Sequence, residues 1–348
     1  MKRPKFLSPS SLSQFYSTPD EFFMQRIMDN PPPKQPQTIP MAVGSAFDAH
    51  VKAYLHSAFI GTADPDYDLD NLLATQVELG RDAPLGSAPA LDRAYVLKSG
   101  IYAFHCYKRC GALASLMQDL GMALAGTIKM EKTVTATVSG VPLLGKPDLC
   151  FQTACASGSE AGAPLATFIL DWKVNGWMSA SGVSPKRGYS MIRDGWGELG
   201  APSRSNGKAH KDFMHLNVCG ISCNGMMHLE EVDSSWAAQV VTYAWALGSP
   251  VGAPAYCGID QLACKKTSEM PDIRVASFRM GVSKAFQLSL LEKYIYLWGI
   301  LSLDDSHLMG SFFKHVGYDD AQSRGQCELL MSPSSADTFF NQITSRAY

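Results

Sequence analysis

Two short stretches combine acidic residues with a lysine in an arrangement that could support metal-dependent chemistry. One is a Gly-x-Pro-Asp stretch that ends at Asp148, and the other runs from Asp171 to Lys173 after a polar insert. Because side chains alternate between the two faces of a strand, Asp171 and Lys173 share one face. A hairpin pairing of the two stretches would bring Asp148 beside them. Carboxylates hold Mg²⁺ and a lysine can steady the attacking water, as metal-assisted phosphodiester cleavage requires.

The same pattern has a plainer interpretation. An acid and a lysine two residues apart also arise by chance, and they could form an exposed strand with a surface ion pair. Two features favour the interpretation as a metal-binding site. Apolar residues flank these stretches at alternate positions, and further motifs precede and follow them in a definite order.

The composition is ordinary for a globular enzyme. Charged residues make up 18% of the 348 positions and hydrophobic residues 46%, and the formal net charge is −2. A chain of this length can bury a large core. Contact with nucleic acid would have to depend on local basic patches, because no overall basic signature exists. No apolar run approaches a membrane span, so we expect no membrane partner and a cytoplasmic protein whose nine cysteines are thiols.

The N-terminal third predicts helices and a connector. Ser8 has the character of a helix cap, and residues 30–40 carry five prolines, which indicates an extended segment. Val43 to Phe59 has the apolar spacing of an amphipathic helix, with Gly44 and Asp48 one turn apart. We expect Gly44 to let another backbone or a ligand approach closely. Further helices are predicted near residues 72–79 and within 91–124.

Strands and an insertion follow. Residues 131–138 alternate threonine with valine or alanine, which is typical of a half-buried strand, and Gly140 turns the chain toward Asp148. From about 175 to 225 the chain has little periodicity and is rich in glycine, serine and basic residues. This basic loop insertion is either a flexible surface segment or a loop that contacts substrate phosphates.

The C-terminal half shows clearer patterns. Residues 226–232 predict a strand, and Asp233 caps a helix that continues to Leu247. Within that helix Gln239 and Tyr243 lie one turn apart. Further elements are predicted as a pair of strands at 255–263 and 273–280 and a helix at 283–301. Residues 303–348 have weak patterns and no assigned role.

In this order the motifs resemble the PD-(D/E)XK nuclease superfamily, in the RecB-like branch with the phage exonucleases and the CRISPR adaptation nuclease. The resemblance covers roughly residues 7–250 and implies an α/β, restriction-endonuclease-like core, in which helices flank a small mixed β-sheet. This nuclease domain would span residues 1–302, with 303–348 as an extension. The matching motifs are Ser8-Pro9-Ser10-Ser11-Leu12 with Phe15 and Pro19, Gly44-x-x-x-Asp48, Gly145-x-Pro147-Asp148, Asp171-x-Lys173 and Gln239-x-x-x-Tyr243.

The resemblance implies a role for each residue at the centre of the motif set. Asp148 and Asp171 look like acidic metal ligands, with the backbone carbonyl of Trp172 as a further ligand. Lys173 looks like the catalytic lysine. The metal would be Mg²⁺ or Mn²⁺.

Four other residues are candidates for DNA binding. Gln239 and Tyr243 match a helix that lies along the DNA in this superfamily. Gln239 can hydrogen-bond a phosphate, and Tyr243 offers a ring for stacking and a hydroxyl, although Tyr243 could instead anchor the core. Lys186 and Arg187 belong to the basic insertion.

The chain departs from the pattern of the branch at two places. Asp48 stands where a histidine is usual, and His50 lies about 200° around the helix from it, so both cannot face one metal. We expect Asp48 to be the ligand, because a carboxylate suits Mg²⁺ or Mn²⁺ better than an imidazole does. Thr18 precedes Pro19 and Cys327 stands alone where some relatives have cluster-binding cysteines. No iron–sulfur cluster is therefore expected.

The resemblance implies a Mg²⁺-dependent DNA exonuclease of phage or bacterial recombination and repair. A structure-specific endonuclease on branched or flapped DNA, and a DNA-binding subunit that no longer cleaves, are the alternatives. Exonucleases of this kind often act with a single-strand annealing protein, and some assemble as homo-oligomers. The residues of this chain leave both points open, together with the polarity of cleavage and the strand preference.

Overall fold

The computed structural model describes residues 1–33, 36–61, 64–77, 90–154, 165–177, 182–195, 213–265, 271–305 and 308. Within these ranges the protein is a mixed α/β structure, in which helices cover both faces of a sheet. This confirms the predicted class, a mixed sheet flanked by helices. No helix in the described ranges is both long enough and apolar enough to cross a membrane.

Eight of the described strands form one sheet. Seven of them follow the order β1-β4-β5-β9-β10-β8-β7, and β6 pairs with β10, while β2 and β3 form a separate hairpin. The strands are β1 Lys129–Met130, β2 Val134–Val138, β3 Val141–Gly145, β4 Leu149–Ala154, β5 Leu165–Asn175, β6 Met191–Gly195, β7 His215–Val218, β8 Ile221–Asn224, β9 Ala255–Lys265 and β10 Asp272–Val282.

The pairings make the sheet mixed. Strand β5 is antiparallel to β4 and parallel to β9, and β9 is antiparallel to β10. The predicted hairpin of the Asp148 and Asp171 segments is confirmed as the β4–β5 pair, and the predicted pair at 255–263 and 273–280 is confirmed as β9–β10.

The helices divide between the two faces of the sheet. Their bounds are α1 Pro9–Ser17, α2 Pro19–Arg26, α3 Ile39–Phe59, α4 Leu69–Gln76, α5 Ala90–Arg109, α6 Ala112–Gly121, α7 Leu229–Val232, α8 Ser234–Ala246 and α9 Lys284–Leu301, with a short 3₁₀ turn at Pro65–Tyr67. One apolar core joins the sheet to α3, α5 and α6. A second core joins the opposite face to α1, α2, α8 and α9.

Strand β5 lies between the two cores and displays the expected alternation. Phe168, Leu170 and Trp172 pack into the core with α3, α5 and α6. Ile169 packs into the core with α8 and α9. Because side chains on a strand alternate, Asp171 and Lys173 continue the row of Ile169 and face α8.

Helix caps confirm three predicted starts. The Ser8 side chain accepts a hydrogen bond from the Ser11 amide, and the Ser11 side chain accepts one from the Ser8 amide. The Asp233 side chain accepts hydrogen bonds from two backbone amides at the start of α8. The Ser283 side chain accepts one from the amide of Phe286 in α9. Each cap satisfies amides that have no partner within their own helix.

Other predictions are wrong in detail. Helix α3 begins at Ile39, inside the predicted connector, because Pro40 is tolerated in the first turn of a helix. The stretch predicted as a strand at 226–232 ends in helix α7 instead. There the Asn224 side chain accepts hydrogen bonds from the backbone amides of Met226 and Met227. These bonds hold a turn of the chain just before the helix.

The interval 175–225 is more regular than the predicted loop insertion. It contains β6, β7 and β8, which join the sheet through pairing with β10 or with each other. Strands of four or five residues leave too little periodicity to be recognised in the sequence. Part of the basic insertion, including Arg204, Lys208 and Lys211, lies outside the described residues, as does most of the 303–348 extension.

The thiol prediction is confirmed for most of the described cysteines. The free and buried thiols are Cys106, Cys110, Cys150, Cys223, Cys257 and Cys264. Cys219 is disulfide-bonded, so the prediction is wrong at that position.

Candidate active site

Asp148 lies at the point where α3, β4 and β5 come together. It directly precedes β4, and its Oδ2 accepts a hydrogen bond from the backbone amide of Trp172 on β5 at 3.4 Å. The amide and carbonyl of one strand residue point to the same side. The Trp172 carbonyl, predicted as a metal ligand, therefore faces the same side as Asp148.

Three carboxylates form a cluster around this point. Each of Asp48, Glu131 and Asp148 offers an oxygen within 4.8 Å of the others, and all three side chains are partly buried. Asp48 comes from α3, while Glu131 follows β1, where its amide donates to the backbone oxygen of Asp148 at 3.2 Å. Glu131 has a φ of 50°, an uncommon value for a residue other than glycine.

A lysine lies inside this cluster. Lys52, one turn after Asp48 on α3, is fully buried and forms ion pairs with Asp48 and Glu131. Its Nζ is also 3.6 Å from Oδ1 of Asp148. The exposed Lys146 pairs with the other oxygen of Glu131.

Asp171 and Lys173 extend the site toward α8. Lys173 forms an ion pair with Asp171 and donates a hydrogen bond to Oε1 of Gln239 at 3.0 Å. Gln239 in turn donates to the hydroxyl of Tyr243 at 3.1 Å. Asp171 also lies close enough to Asp148 for its charge to act on that carboxyl. Asp148 thus connects the three-carboxylate cluster to the Asp171–Lys173 pair.

The crowding of carboxylates changes their protonation. Burial, followed by the charge of Asp148, raises the pKa of Asp48 to about 7. Burial, followed by the charge of Asp171, holds the pKa of Asp148 well above its usual range. Both shifts reflect the free-energy cost of placing negative charges together away from water. A bound cation would lower this cost.

The neighbouring lysines oppose the effect of burial on the pKa of these groups. Burial disfavours the ionised form of Glu131, but Lys52 and Lys146 outweigh burial and lower the pKa of that carboxyl. Burial also disfavours the charged form of Lys173, yet the negative charge of Asp171 raises the pKa of its ammonium group. Without a metal ion, Lys173 is therefore an ammonium at neutral pH.

A buried polar network fixes the other face of β5. The indole nitrogen of Trp172 donates to the Tyr107 hydroxyl at 3.3 Å, and that hydroxyl donates to Asp260 at 2.5 Å. The Arg279 guanidinium forms one ion pair with Asp260, at 2.9 Å, and another with Asp119, at 2.7 Å. These buried hydrogen bonds and ion pairs tie β5 to α5, α6, β9 and β10, and they hold the strand that presents Asp171 and Lys173 in one position.

A cleft of about 580 Å³ opens beside Lys173. Gln239 and Tyr243 line it from α8, and Ser8 and Arg26 line it from the N-terminal helices. Lys146 lies at its wall. Among the described residues, the basic side chains of Arg26, Lys146 and Lys173 therefore border the cleft next to the carboxylates.

The two candidates on α3 have different surroundings. Asp48 belongs to the carboxylate cluster, whereas the ring of His50 stacks on Phe104 with 5.7 Å between centroids. Burial, together with the charge of His105, lowers the pKa of His50. The helix thus presents Asp48, and not His50, to the cluster.

The candidate DNA-binding residues Lys186 and Arg187 lie beside the start of α8. Lys186 forms an ion pair with Asp233 and lies 5.2 Å from the centre of the Trp236 ring. Its backbone amide donates to the buried Gln261 at 3.0 Å. Arg187 is exposed. Since Gln261 pairs with Lys173 across β9 and β5, this part of the insertion lies next to the candidate active site.

The structure also tests the glycine expectations. A Cβ on Gly145 would lie 2.6 Å from the Tyr243 ring, so the Gly-x-Pro-Asp stretch needs glycine to let Tyr243 approach. A Cβ on Gly44 would meet only Val174 at 3.9 Å among the described residues, which is an ordinary contact, so the predicted close approach of another backbone at Gly44 is wrong, and the approach of a ligand stays a prediction. The tight crossing on α3 lies instead at Gly100 of α5, where a Cβ would lie 2.5 Å from Ala46.

The donor set fits a divalent cation. Carboxylate oxygens are the hard ligands that Mg²⁺ and Mn²⁺ prefer. Oδ1 of Asp48 is buried and has no hydrogen-bond partner among the described residues. An ion at the cluster would give this oxygen a partner and would stabilise the ionised forms of Asp48 and Asp148.

Sequence reasoning missed Glu131 and Lys52. Lys52 could have been found from its i, i+4 relation to Asp48, which places both on one face of a helix. Glu131 has no such signal, because it meets Lys52 across 79 positions of the chain.

The raised pKa of Asp48 predicts a pH-dependent stability. The folded protein retains the Asp48 proton up to about pH 7, whereas an unfolded aspartate loses it near pH 4. The contribution of this group to the free energy of unfolding therefore falls as pH rises through this interval. Asparagine cannot ionise. The wild type should therefore lose on the order of a few kcal/mol of unfolding free energy relative to Asp48→Asn between pH 4 and pH 7.

Urea unfolding in EDTA at several pH values measures this difference. Asp70→Asn removes an exposed carboxylate from the first turn of α4 and serves as the control for the loss of one negative charge. A difference between wild type and Asp48→Asn that stays constant with pH would contradict the raised pKa.

Comparison with protein-family models, with curated proteins and with solved structures finds no match. The resemblance to the nuclease superfamily therefore rests on the sequence motifs, and the chemistry of the site rests on its geometry.

Proposed function

We propose that this protein is a Mg²⁺- or Mn²⁺-dependent deoxyribonuclease with a PD-(D/E)XK-type core, acting as an exonuclease. One observation carries the proposal. Asp148 and Asp171 lie together at the β4–β5 pair, with Lys173 bound to Asp171 and facing the cleft. Two carboxylates and a lysine in this relation suit hydrolysis of a phosphodiester, which needs both a cation site and a positive donor at the reacting phosphate.

The carboxylates would hold the metal. Asp148 and Asp171 are the central ligands in this proposal, with Asp48 and Glu131 contributing from the adjoining cluster. When bound, a divalent cation supplies Lewis-acid polarisation of the phosphate and offsets its negative charge. The Trp172 carbonyl, on the same side as Asp148, remains a further candidate ligand.

Lys173 would act as a hydrogen-bond donor and a positive charge. Because Asp171 raises the pKa of Lys173, this residue holds its proton at neutral pH and cannot accept one from water in that state. Its bonds to Asp171 and Gln239 fix the direction of the ammonium. A fixed ammonium can orient the attacking water and stabilise the charge that develops on the phosphate oxygens.

The cleft offers groups for a nucleic-acid backbone. Arg26, Lys146 and Lys173 supply positive charge, and Gln239 and Tyr243 supply hydrogen bonds beside them. Burial raises the pKa of Tyr243 to about 12, so its hydroxyl keeps its proton and can donate to a phosphate. Phosphate contacts of this kind bind DNA without reading its sequence.

Digestion of end-labelled linear DNA and covalently closed circular DNA tests the proposal. We expect cleavage of the linear DNA with Mg²⁺ or Mn²⁺, no cleavage in EDTA, and an intact closed circle. Cleavage of the closed circle would indicate the endonuclease alternative. Binding of both substrates without cleavage in either metal would indicate a non-cleaving DNA-binding protein, and the proposal would be abandoned.

Neutralising two basic residues beside the site should weaken DNA binding in a salt-dependent manner. If Lys186 and Arg187 contact phosphates, the double variant Lys186→Gln/Arg187→Gln should lower the slope of log affinity against log salt by about one to two units. Titrations in Ca²⁺ at several salt concentrations measure the slope. Lys98→Gln, at an exposed position of α5 on the other face of the sheet, is the control. An unchanged slope would remove these two residues from the interface.

A further inference from the structure

The setting of Lys52 is unusual for a lysine. Its side chain has 0% exposure, and its ammonium group contacts carboxylates from three separate parts of the chain. Burying an ammonium carries a large desolvation cost, which close carboxylates can offset. A buried lysine in contact with three acids is therefore a specific feature of this site.

The ammonium group of Lys52 lies among the carboxylates of the cluster. The oxygens of Asp48, Glu131 and Asp148 that could share an ion lie within 4.8 Å of one another. Lys52 pairs with the first two and lies 3.6 Å from the third. An ion bound by all three carboxylates would need the space that the ammonium fills, since oxygen ligands lie at about 2.0–2.6 Å from Mg²⁺ or Ca²⁺.

We propose that Lys52 is a built-in counter-ion that competes with a divalent cation for the carboxylates of Asp48, Glu131 and Asp148. The inference deepens the proposed function, because it concerns cation uptake at the same site. A divalent ion then binds either on the Asp171 side of Asp148 or by displacing Lys52. In both cases Lys52 weakens the affinity of the site for the metal.

The charge balance supports this role. Lys52, Lys146 and Lys173 pair with the carboxylates of Asp48, Glu131, Asp148 and Asp171. These three ammonium groups thus face the four carboxyl groups, and removal of the Lys52 ammonium takes away a positive charge that opposes a cation. Lys52 does not satisfy the whole cluster, because Oδ1 of Asp48 still has no partner among the described residues.

Calorimetric titration with MnCl₂ tests the proposal without any measurement of cleavage. Lys52→Met keeps most of the side-chain volume and removes the charge, and it should bind Mn²⁺ at least about tenfold more tightly than wild type. Lys52→Arg keeps the charge and should stay within a few-fold of wild type. Lys129→Met removes an exposed lysine two residues before Glu131 and is the matched control, also expected within a few-fold.

A second measurement is used if Lys52→Met folds poorly without metal. Circular dichroism would then follow its folding as MnCl₂ is added. Folding at a lower Mn²⁺ concentration than the one that raises the Tm of wild type supports the competition. Failure of Mn²⁺ to restore the fold overturns it, and so does a folded variant whose Mn²⁺ affinity is unchanged or weaker.

The outcome also separates this inference from the proposed function. If wild type binds Mn²⁺ and Lys52→Met binds it no more tightly, only the role of Lys52 is wrong. If neither wild type nor any Lys52 variant binds Mn²⁺, the metal centre and the proposed function are both overturned. If only Lys52→Met binds Mn²⁺, the competition is supported and the metal-dependent reaction of the wild type is contradicted.

Discussion

Replacing Asp148 by asparagine is expected to reduce the single-turnover rate of DNA cleavage by about 10³-fold or more. Asp148 joins the Asp48–Glu131 cluster to the Asp171–Lys173 pair, so its loss removes a carboxylate that both parts of the site share. A metal ion supplies several kcal/mol of charge stabilisation to such a reaction, and each 1.36 kcal/mol corresponds to a factor of about ten.

The same substitution should leave the fold nearly unchanged in stability. The carboxyl of Asp148 is held in a setting that raises its pKa, mainly through burial and the charge of Asp171. Asparagine has the same shape and adds no charge to that setting. We therefore expect the free energy of unfolding in EDTA at neutral pH to change by no more than about 1 kcal/mol.

Cleavage and urea unfolding should be measured on the same preparations of wild type, Asp148→Asn and the exposed control Asp70→Asn. Asp148→Asn cleavage at the wild-type rate would exclude Asp148 as a ligand. Loss of cleavage together with loss of the fold would assign Asp148 a structural role instead.

Lys173→Ala should reduce the cleavage rate by about 10²–10³-fold, the range expected when one positioned donor to a developing negative charge is removed. DNA affinity measured in Ca²⁺ should stay within a few-fold of wild type, because several other basic and polar groups border the cleft. The defect would then lie in the chemical step and not in binding.

Lys173→Arg should restore little of the rate. The planar guanidinium cannot take the place of a compact ammonium between Asp171 and Gln239. Lys98→Ala, at an exposed position of α5, is the matched control. If Lys173→Ala cleaves normally, or if it simply fails to bind DNA in Ca²⁺, Lys173 is not the catalytic lysine and the proposed function loses its main support.

Local patterns in the sequence were sufficient for the central part of this site. Strand alternation predicts that Asp171 and Lys173 share a face, and the structure has both in contact with each other and Lys173 in contact with α8. Capping residues predicted the start of α8, which carries Gln239 and Tyr243. These features depend on neighbours within a few residues, so the sequence alone determined them.

Helical periodicity likewise separated two candidates on α3. Two residues along a helix are about 200° apart, so Asp48 and His50 could not face one cluster. The structure has Asp48 beside Asp148 and His50 against Phe104. The choice of Asp48 required the motif that places a ligand on this helix, the helical geometry and a preference for hard oxygen ligands.

Only the tertiary structure decided which other charges meet Asp48. Glu131 reaches Lys52 across 79 positions of the chain, and its backbone has a positive φ that its residue type does not predict. Lys52 is an ordinary helical lysine in the sequence, and its burial among three carboxylates depends on how α3 packs beside β4 and β5. Short strands such as β6 and β8 exist because β10 pairs with β6 and β7 pairs with β8. Contacts between distant segments leave no periodic trace in the sequence, because their geometry arises only when the sheet and helices pack together.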